Sequence, residues 1–147
     1  ELCLACGLIV AARDAVMGLP EVKRSLVAIG GGLFRLPKRI PYHVAMDLVL
    51  TGRAVTAEQM HAVGLVNRIT EPGRALEGAI ELATEIIECG PLATVAAKEI
   101  VRRSGTWTED EAWQRQREYA DPVLASEDFQ EGLRAFAEKR APIWRGR

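Results

Sequence analysis

The sequence is poor in the features that mark disulfide-stapled, nucleic-acid-binding or membrane-spanning proteins. Of its 147 residues only three are cysteine and two are histidine, and 19 basic side chains nearly balance 20 acidic ones, which leaves a net charge of −1. Such a balance argues against bulk electrostatic binding to nucleic acid or to an anionic membrane. The longest apolar run, residues 2–12, is too short to cross a bilayer. No signal-peptide pattern is present.

Two of the cysteines, Cys3 and Cys6, have the CxxC spacing of redox and metal sites. Such a site needs a second pair, a nearby histidine or a setting that makes the thiol reactive. The neighbouring residues are leucine and alanine instead, and both histidines lie far along the chain. We therefore predict that Cys3, Cys6 and Cys89 are buried, inert thiols, that there is no metal site, and that the compartment is the reducing cytoplasm.

Apolar spacing predicts a short β segment followed by mainly helices. With 48% hydrophobic and 27% charged residues, the composition is ordinary for a globular protein with a buried core. Residues 2–6 are interpreted as the end of a buried helix. Strands are predicted at residues 8–12, 16–18 and 65–69. Helices are predicted at residues 42–51, 57–64, 75–89, 93–103, 109–119 and 129–139, with N-caps at Thr56, Thr108 and Ser126.

Two glutamates, Glu1 and Glu21, bound the stretch with the most chemical promise. Glu1 adjoins the apolar run, and Glu21 follows Pro20, which fixes how its segment begins. The glycines at residues 30–32 favour a tight turn in which backbone approaches a ligand closely, although a plain helix N-terminus is an alternative. No Gly-Lys-Ser/Thr follows, so this is not a P-loop. Spacing alone favours the plainer interpretation of a terminal residue and a solvated loop carboxylate.

Five longer segments of the sequence carry more information than the spacing of Glu1 and Glu21. They are, in order, ELCLAC, AARDAVMGLPEVK, GGGLFRLPKRI, LTGRAVTAEQMHAVGLVNRI and SEDFQEGLRAFAEKRAPIW. In these phrases the chain resembles the enoyl-CoA hydratase/isomerase (crotonase) superfamily. The resemblance implies an α/β fold, with the last part of a crotonase-like ββα spiral core over residues 1–70 and a helical C-terminal trimerisation region over residues 71–147. It also implies that the first part of the core, with the backbone donors for the thioester oxygen, precedes Glu1.

The resemblance implies a reaction and its partners. Glu1 and Glu21 match the two catalytic glutamates of the family, which fits an enoyl-CoA hydratase acting on trans-2-enoyl-CoA. Hydration needs a base for water, an acid for the α-carbon and donors for the enolate oxygen, and two carboxyl groups can divide the first two tasks. The expected substrate is an acyl-CoA thioester, with no cofactor besides its coenzyme A, and the expected assembly is a homotrimer or a dimer of trimers. An isomerase or another crotonase-type enzyme with Glu21 as proton shuttle, and a non-catalytic acyl-CoA-binding protein, remain alternatives.

Five residues are expected to contact the substrate. Gly18 and Pro20 lie beside Glu21. Ile29 stands where the family often has glycine, so its side chain could narrow the site. Phe136 and Lys139 match residues of the C-terminal helix that reach a coenzyme A site, often that of a neighbouring subunit. Their spacing of three residues would place them on one helical face; a core aromatic residue and a solvated lysine are the alternatives.

Overall fold

The computed structural model describes all residues, 1–147, and divides the chain into two compact units, Glu1–Leu82 and Ala83–Arg147. The first unit holds all of the strands, and beyond residue 82 every regular element is helical. The predicted order of a short β segment followed by mainly helices is therefore confirmed.

The strands form two pairs within the first unit: β1 (Val10–Ala12), β2 (Val16–Met17), β3 (Val55–Thr56) and β4 (Arg68–Thr70). β1 and β4 are parallel, whereas β2 and β3 are antiparallel. Asn67 extends the first pair, because its side-chain Oδ1 accepts from the N–H of Ile9 at 2.8 Å and its own N–H donates to the carbonyl of Ile9 at 2.8 Å. The first two predicted strands are confirmed with shorter bounds, and the third begins later than predicted.

Seven α-helices and three short 3₁₀ segments make up the rest of the regular structure. The helices are α1 (Gly32–Arg35), α2 (Tyr42–Thr51), α3 (Ala57–Ala62), α4 (Ala75–Ile87), α5 (Pro91–Ser104), α6 (Glu109–Leu124) and α7 (Glu127–Glu138), and the 3₁₀ segments are Cys3–Ala5, Pro20–Arg24 and Leu36–Lys38. The three predicted N-caps are confirmed, because Thr56, Thr108 and Ser126 each accept from the N–H three residues ahead.

The hydrophobic core belongs to the first unit. Its buried side chains are Leu4, Ile9, Ala11, Leu19, Ala28, Leu36, Ile40, Ala45, Leu48, Val55, Ala57, Met60, Leu65 and Val66. In the second unit the buried residues are Ala135 and the polar Ser126 and Asp128. The second unit therefore leaves many large apolar side chains exposed, Phe136 at 87% among them.

The predicted burial of the cysteines is wrong. Cys3, Cys6 and Cys89 are all exposed and free. In place of the expected helix end at residues 2–6 lies the 3₁₀ segment Cys3–Ala5, and only Leu4 of that segment is buried, because a three-residue turn directs one side chain in three inward. The cytoplasmic location rested on that burial and stays a prediction. Separately, none of the helices is both long and apolar enough to cross a membrane.

Candidate active site

Glu1 is anchored on the backbone turn formed by residues 30–32. Its Oε1 accepts a hydrogen bond of 2.8 Å from the N–H of Gly32, the first residue of α1. The preceding Gly31 has φ +102°, a conformation that favours glycine because a side chain would be strained there. This turn presents the Gly32 N–H, one of the amides that a helix start leaves without a helical partner, to the carboxylate.

The same turn approaches the carboxylate so closely that a side chain on Gly30 or Gly32 would displace the carboxylate of Glu1. A Cβ atom on Gly30 would lie 2.7 Å from Glu1 Oε2, and one on Gly32 would lie 3.0 Å from Glu1 Oε1. The sequence predicted a close backbone approach at this glycine run. In the structure the group approached is the carboxylate of Glu1.

Glu21 is held differently. It is the second residue of the 3₁₀ segment Pro20–Arg24, and its Oε2 is enclosed without a hydrogen-bond partner. Its backbone carbonyl accepts from the N–H of Leu26 at 3.1 Å, which closes the segment. A buried carboxylate oxygen without a donor is costly to fold around, so it is typical of a group kept for chemistry or for a ligand.

Leu19 links the surroundings of the two glutamates. Its Cδ1 lies 3.1 Å from where a Cβ of Gly32 would be, beside the Glu1 carboxylate. Because Leu19 is buried and lies two residues before Glu21, the start of the Glu21 segment packs on the turn that anchors Glu1. The structure thus brings both predicted catalytic segments to the same turn.

Three of the predicted substrate contacts lie in this unit. Gly18 approaches the Arg53 carbonyl, which would lie 3.1 Å from a Gly18 Cβ. Pro20 begins the 3₁₀ segment of Glu21, and its Cα would lie 3.3 Å from a Cβ on Gly52. Ile29 is 91% exposed and directly precedes Gly30. The contact of these three residues with substrate stays a prediction.

The other two, Phe136 and Lys139, lie in the second unit, and their predicted common helical face is wrong. α7 ends at Glu138, and Lys139 adopts a left-handed conformation with φ +53° as the C-cap. This left-handed helix end is stabilised because the N–H of Arg140 donates to the carbonyl of Ala135 at 3.1 Å. Phe136 is exposed, so it is not a core aromatic residue.

The turn that holds Glu1 is supported by a side chain that no sequence pattern indicated. Arg35, at the end of α1, donates from Nη1 to the carbonyl of Gly30 at 2.9 Å, and its Cζ lies 4.9 Å from the ring centroid of Phe34. Nothing in the sequence sets Arg35 apart from the other arginines. The glycine run was the only available signal for the Gly32 N–H. Elsewhere, no three His, Cys, Asp or Glu side chains are grouped so that they could hold a metal ion.

The chain is similar to a known family and to curated proteins. The family model described as enoyl-CoA hydratase/isomerase matches residues 1–147. Among curated relatives, the carnitinyl-CoA dehydratase of Salmonella typhi is 42% identical over 151 aligned residues, which cover 100% of this chain and 58% of that protein.

Solved structures agree with the family model. The crystal structure of an enoyl-CoA hydratase from Mycobacterium tuberculosis H37Rv is 54% identical with a TM-score of 0.96, over 99% of this chain and 58% of that one. An enoyl-CoA hydratase from Bacillus anthracis is 34% identical with a TM-score of 0.93, over 98% of this chain and 56% of that one. The fold prediction is confirmed: the chain has part of a crotonase core and a helical C-terminal region, and it spans a little over half the length of these relatives.

Proposed function

The chain belongs to the enoyl-CoA hydratase/isomerase family, and we propose that it carries the two catalytic carboxylates of an enoyl-CoA hydratase. The observation that carries the proposal is the unequal setting of Glu1 and Glu21. Glu1 Oε1 is held by a backbone N–H, whereas Glu21 Oε2 is enclosed without a partner. Two carboxyl groups in different settings can take the roles of base and acid in one reaction.

Hydration adds water across the C2=C3 bond of a trans-2-enoyl thioester. Glu1 uses Oε2 to accept a proton from water while Oε1 stays bonded to the Gly32 N–H, and the water oxygen forms its bond to C3. The π electrons move toward the thioester carbonyl, and Glu21 then gives its proton to C2. Glu1 gains one proton and Glu21 loses one, so the two balance, and exchange with solvent resets the pair.

An acyl-CoA thioester is the proposed substrate class. The relatives described above are named for carnitinyl-CoA and enoyl-CoA, which supports a coenzyme A thioester. The loop that follows Glu21 exposes apolar side chains at Leu26, Val27 and Ile29, which supports a short or medium apolar acyl chain. We further propose that the exposed Phe136 and Lys139 contact coenzyme A, in a homotrimer or a dimer of trimers.

The first test replaces each glutamate with glutamine in the complete protein. Glu1→Gln and Glu21→Gln should each keep the fold, checked by circular dichroism, and lower turnover of a trans-2-enoyl-CoA by at least about a hundredfold. Turnover is followed as loss of the enoyl thioester absorbance. Glu71→Gln is the matched control, because Glu71 is an exposed residue of the same unit whose ion pair with Arg13 is 3.6 Å long.

Two results would contradict the hydratase mechanism. Unchanged turnover in both variants would rule out a reaction that needs two carboxylates. Loss of activity in Glu21→Gln alone, with a shifted double bond as the product of the unmodified protein, would identify the isomerase alternative.

A further inference from the structure

The guanidinium group of Arg35 folds back across the turn that anchors Glu1. Arg35 is half-buried at the end of α1, and its Nη1 donates to the carbonyl of Gly30 at 2.9 Å. Its Cζ stands 4.9 Å from the ring centroid of Phe34, within the range of a cation–π contact. Two independent contacts therefore fix the position of one side chain.

The guanidinium and the Glu1 carboxylate contact the same turn. The carbonyl of Gly30 accepts a hydrogen bond from Arg35, and a Cβ atom on Gly30 would meet Glu1 Oε2. Gly32 gives its N–H to Glu1 Oε1. Gly31, which lies between these two glycines in the chain, is buried. The Arg35 guanidinium occupies the space that a Gly31 side chain would need.

Three successive glycines need such a restraint. Glycine has more accessible backbone conformations than any other residue, so a Gly-Gly-Gly turn has little rigidity of its own. A misplacement of about 1 Å at a catalytic group can cost roughly a hundredfold in rate. We propose that Arg35 is a positioning residue for Glu1: it holds the turn at residues 30–32 in the one conformation that presents the Gly32 N–H to the carboxylate.

Arginine suits this task better than lysine. A planar guanidinium can donate to a carbonyl and stack on an aromatic ring at the same time, whereas an ammonium provides donors without the flat stacking surface. Lysine at position 35 should therefore restore only part of what a methionine removes.

The kinetic test rests on the proposed hydratase function. Arg35→Met in the complete protein should lower kcat by about ten- to a hundredfold and change KM little, because the substrate is still bound while the base is misplaced. Arg35→Lys should fall between Arg35→Met and the unmodified protein, and it keeps the test informative if the methionine variant does not fold. Arg13→Met is the matched control, since Arg13 is an exposed arginine of the same unit that pairs with Glu58.

A double-mutant cycle separates positioning from general damage. If Arg35 acts through Glu1, Arg35→Met should have almost no further effect on the residual activity of Glu1→Gln. An equal loss in both backgrounds would mean that Arg35 only supports the fold, and it would overturn the inference.

A second readout does not depend on hydratase activity. With glycine-selective ¹⁵N labelling, the Gly32 amide proton should shift upfield in Arg35→Met, in the direction that Glu1→Gln also moves it, because both changes weaken its hydrogen bond to a charged acceptor. An unmoved Gly32 resonance in Arg35→Met would overturn the positioning role. A moved resonance in a protein that does not hydrate enoyl-CoA would keep that role and refute the proposed function alone.

Discussion

At the residue scale, Ile29 is the side chain that we expect to set the accepted acyl group. It is 91% exposed and directly precedes Gly30, whose Cα faces the Glu1 carboxylate. We expect a branched side chain at that place to add apolar contact for a small acyl group and to occupy room that a larger one would need. On this proposal, selectivity and proton transfer belong to neighbouring but separate residues.

Removing this side chain should broaden selectivity. Ile29→Gly should raise kcat/KM for longer or branched enoyl-CoA thioesters relative to crotonyl-CoA by about tenfold, the range of a few methylene groups in an apolar site. The check is a competition assay with both substrates in one reaction. Leu50→Ala is the matched control, because Leu50 is an exposed apolar residue of the same unit that lies on α2, outside this loop. An unchanged ratio in Ile29→Gly would show that Ile29 lies away from the acyl group.

At the scale of elements, the C-terminal tail is fixed to α7 by buried and half-buried carboxylates. Asp128 accepts from the backbone N–H groups of Arg145 and Gly146 at 2.7 and 2.9 Å. Glu131 accepts from Arg140 through both oxygens, at 2.6 and 3.0 Å, and from the N–H of Ile143 at 2.9 Å. These contacts hold the tail along α7, so the tail forms part of the second unit.

This arrangement predicts a pH-dependent stability. The guanidinium of Arg140, followed by the N–H of Ile143, lowers the pKa of Glu131 from 4.5 to about 2. Because the pKa is lower in the folded state, the stabilisation is present above the ordinary value of 4.5 and is lost as the pH falls toward 2. Glu131→Gln should therefore lower the urea midpoint at neutral pH, and the difference from the unmodified protein should disappear across that interval.

The matched control is Glu138→Gln. Glu138 contacts the same arginine, Arg140, at 2.6 Å, but its side chain is 53% exposed, against 17% for Glu131. Glu138→Gln should therefore lower the urea midpoint less than Glu131→Gln does, since an exposed ion pair contributes little to stability. A difference between Glu131→Gln and the unmodified protein that stayed constant down to the acid end would contradict the assignment.

At the scale of the whole molecule, the second unit exposes several large apolar side chains. Val101, Trp113, Phe136 and Ile143 are between 65% and 87% exposed, while Ala135 is the one buried apolar residue of that unit. Large exposed apolar patches mark interaction surfaces. This supports the proposed trimer or dimer of trimers.

Light scattering tests the assembly directly. The complete protein should have the mass of three or six subunits, and Trp113→Glu should shift it toward smaller species, because a charge placed in an apolar contact is costly. Glu118→Gln on the same helix, α6, is the control, since it changes an exposed polar residue. A mass equal to one subunit for the unmodified protein would refute the assembly.

Local signals in the sequence determined much of the secondary structure. The caps at Thr56, Thr108 and Ser126 could be predicted because a capping side chain bonds to an amide only three residues away. The end of α2 at Gly52, with φ +59°, follows from the same kind of local rule. Glu1 and Glu21 could be recognised from the phrases around them, and whether they act as catalysts stays a prediction.

Only the tertiary structure decided what surrounds those glutamates. The bond from Gly32 to Glu1 joins residues 31 positions apart, and the enclosure of Glu21 Oε2 depends on neighbours that no local pattern specifies. The exposed thiols of Cys3 and Cys6 show the same limit, because the apolar residues next to them in the sequence do not bury them in the folded chain. A cap needs the geometry of one turn, whereas burial and long-range hydrogen bonds depend on how distant segments pack, and that packing is what presents Glu1 to a backbone donor.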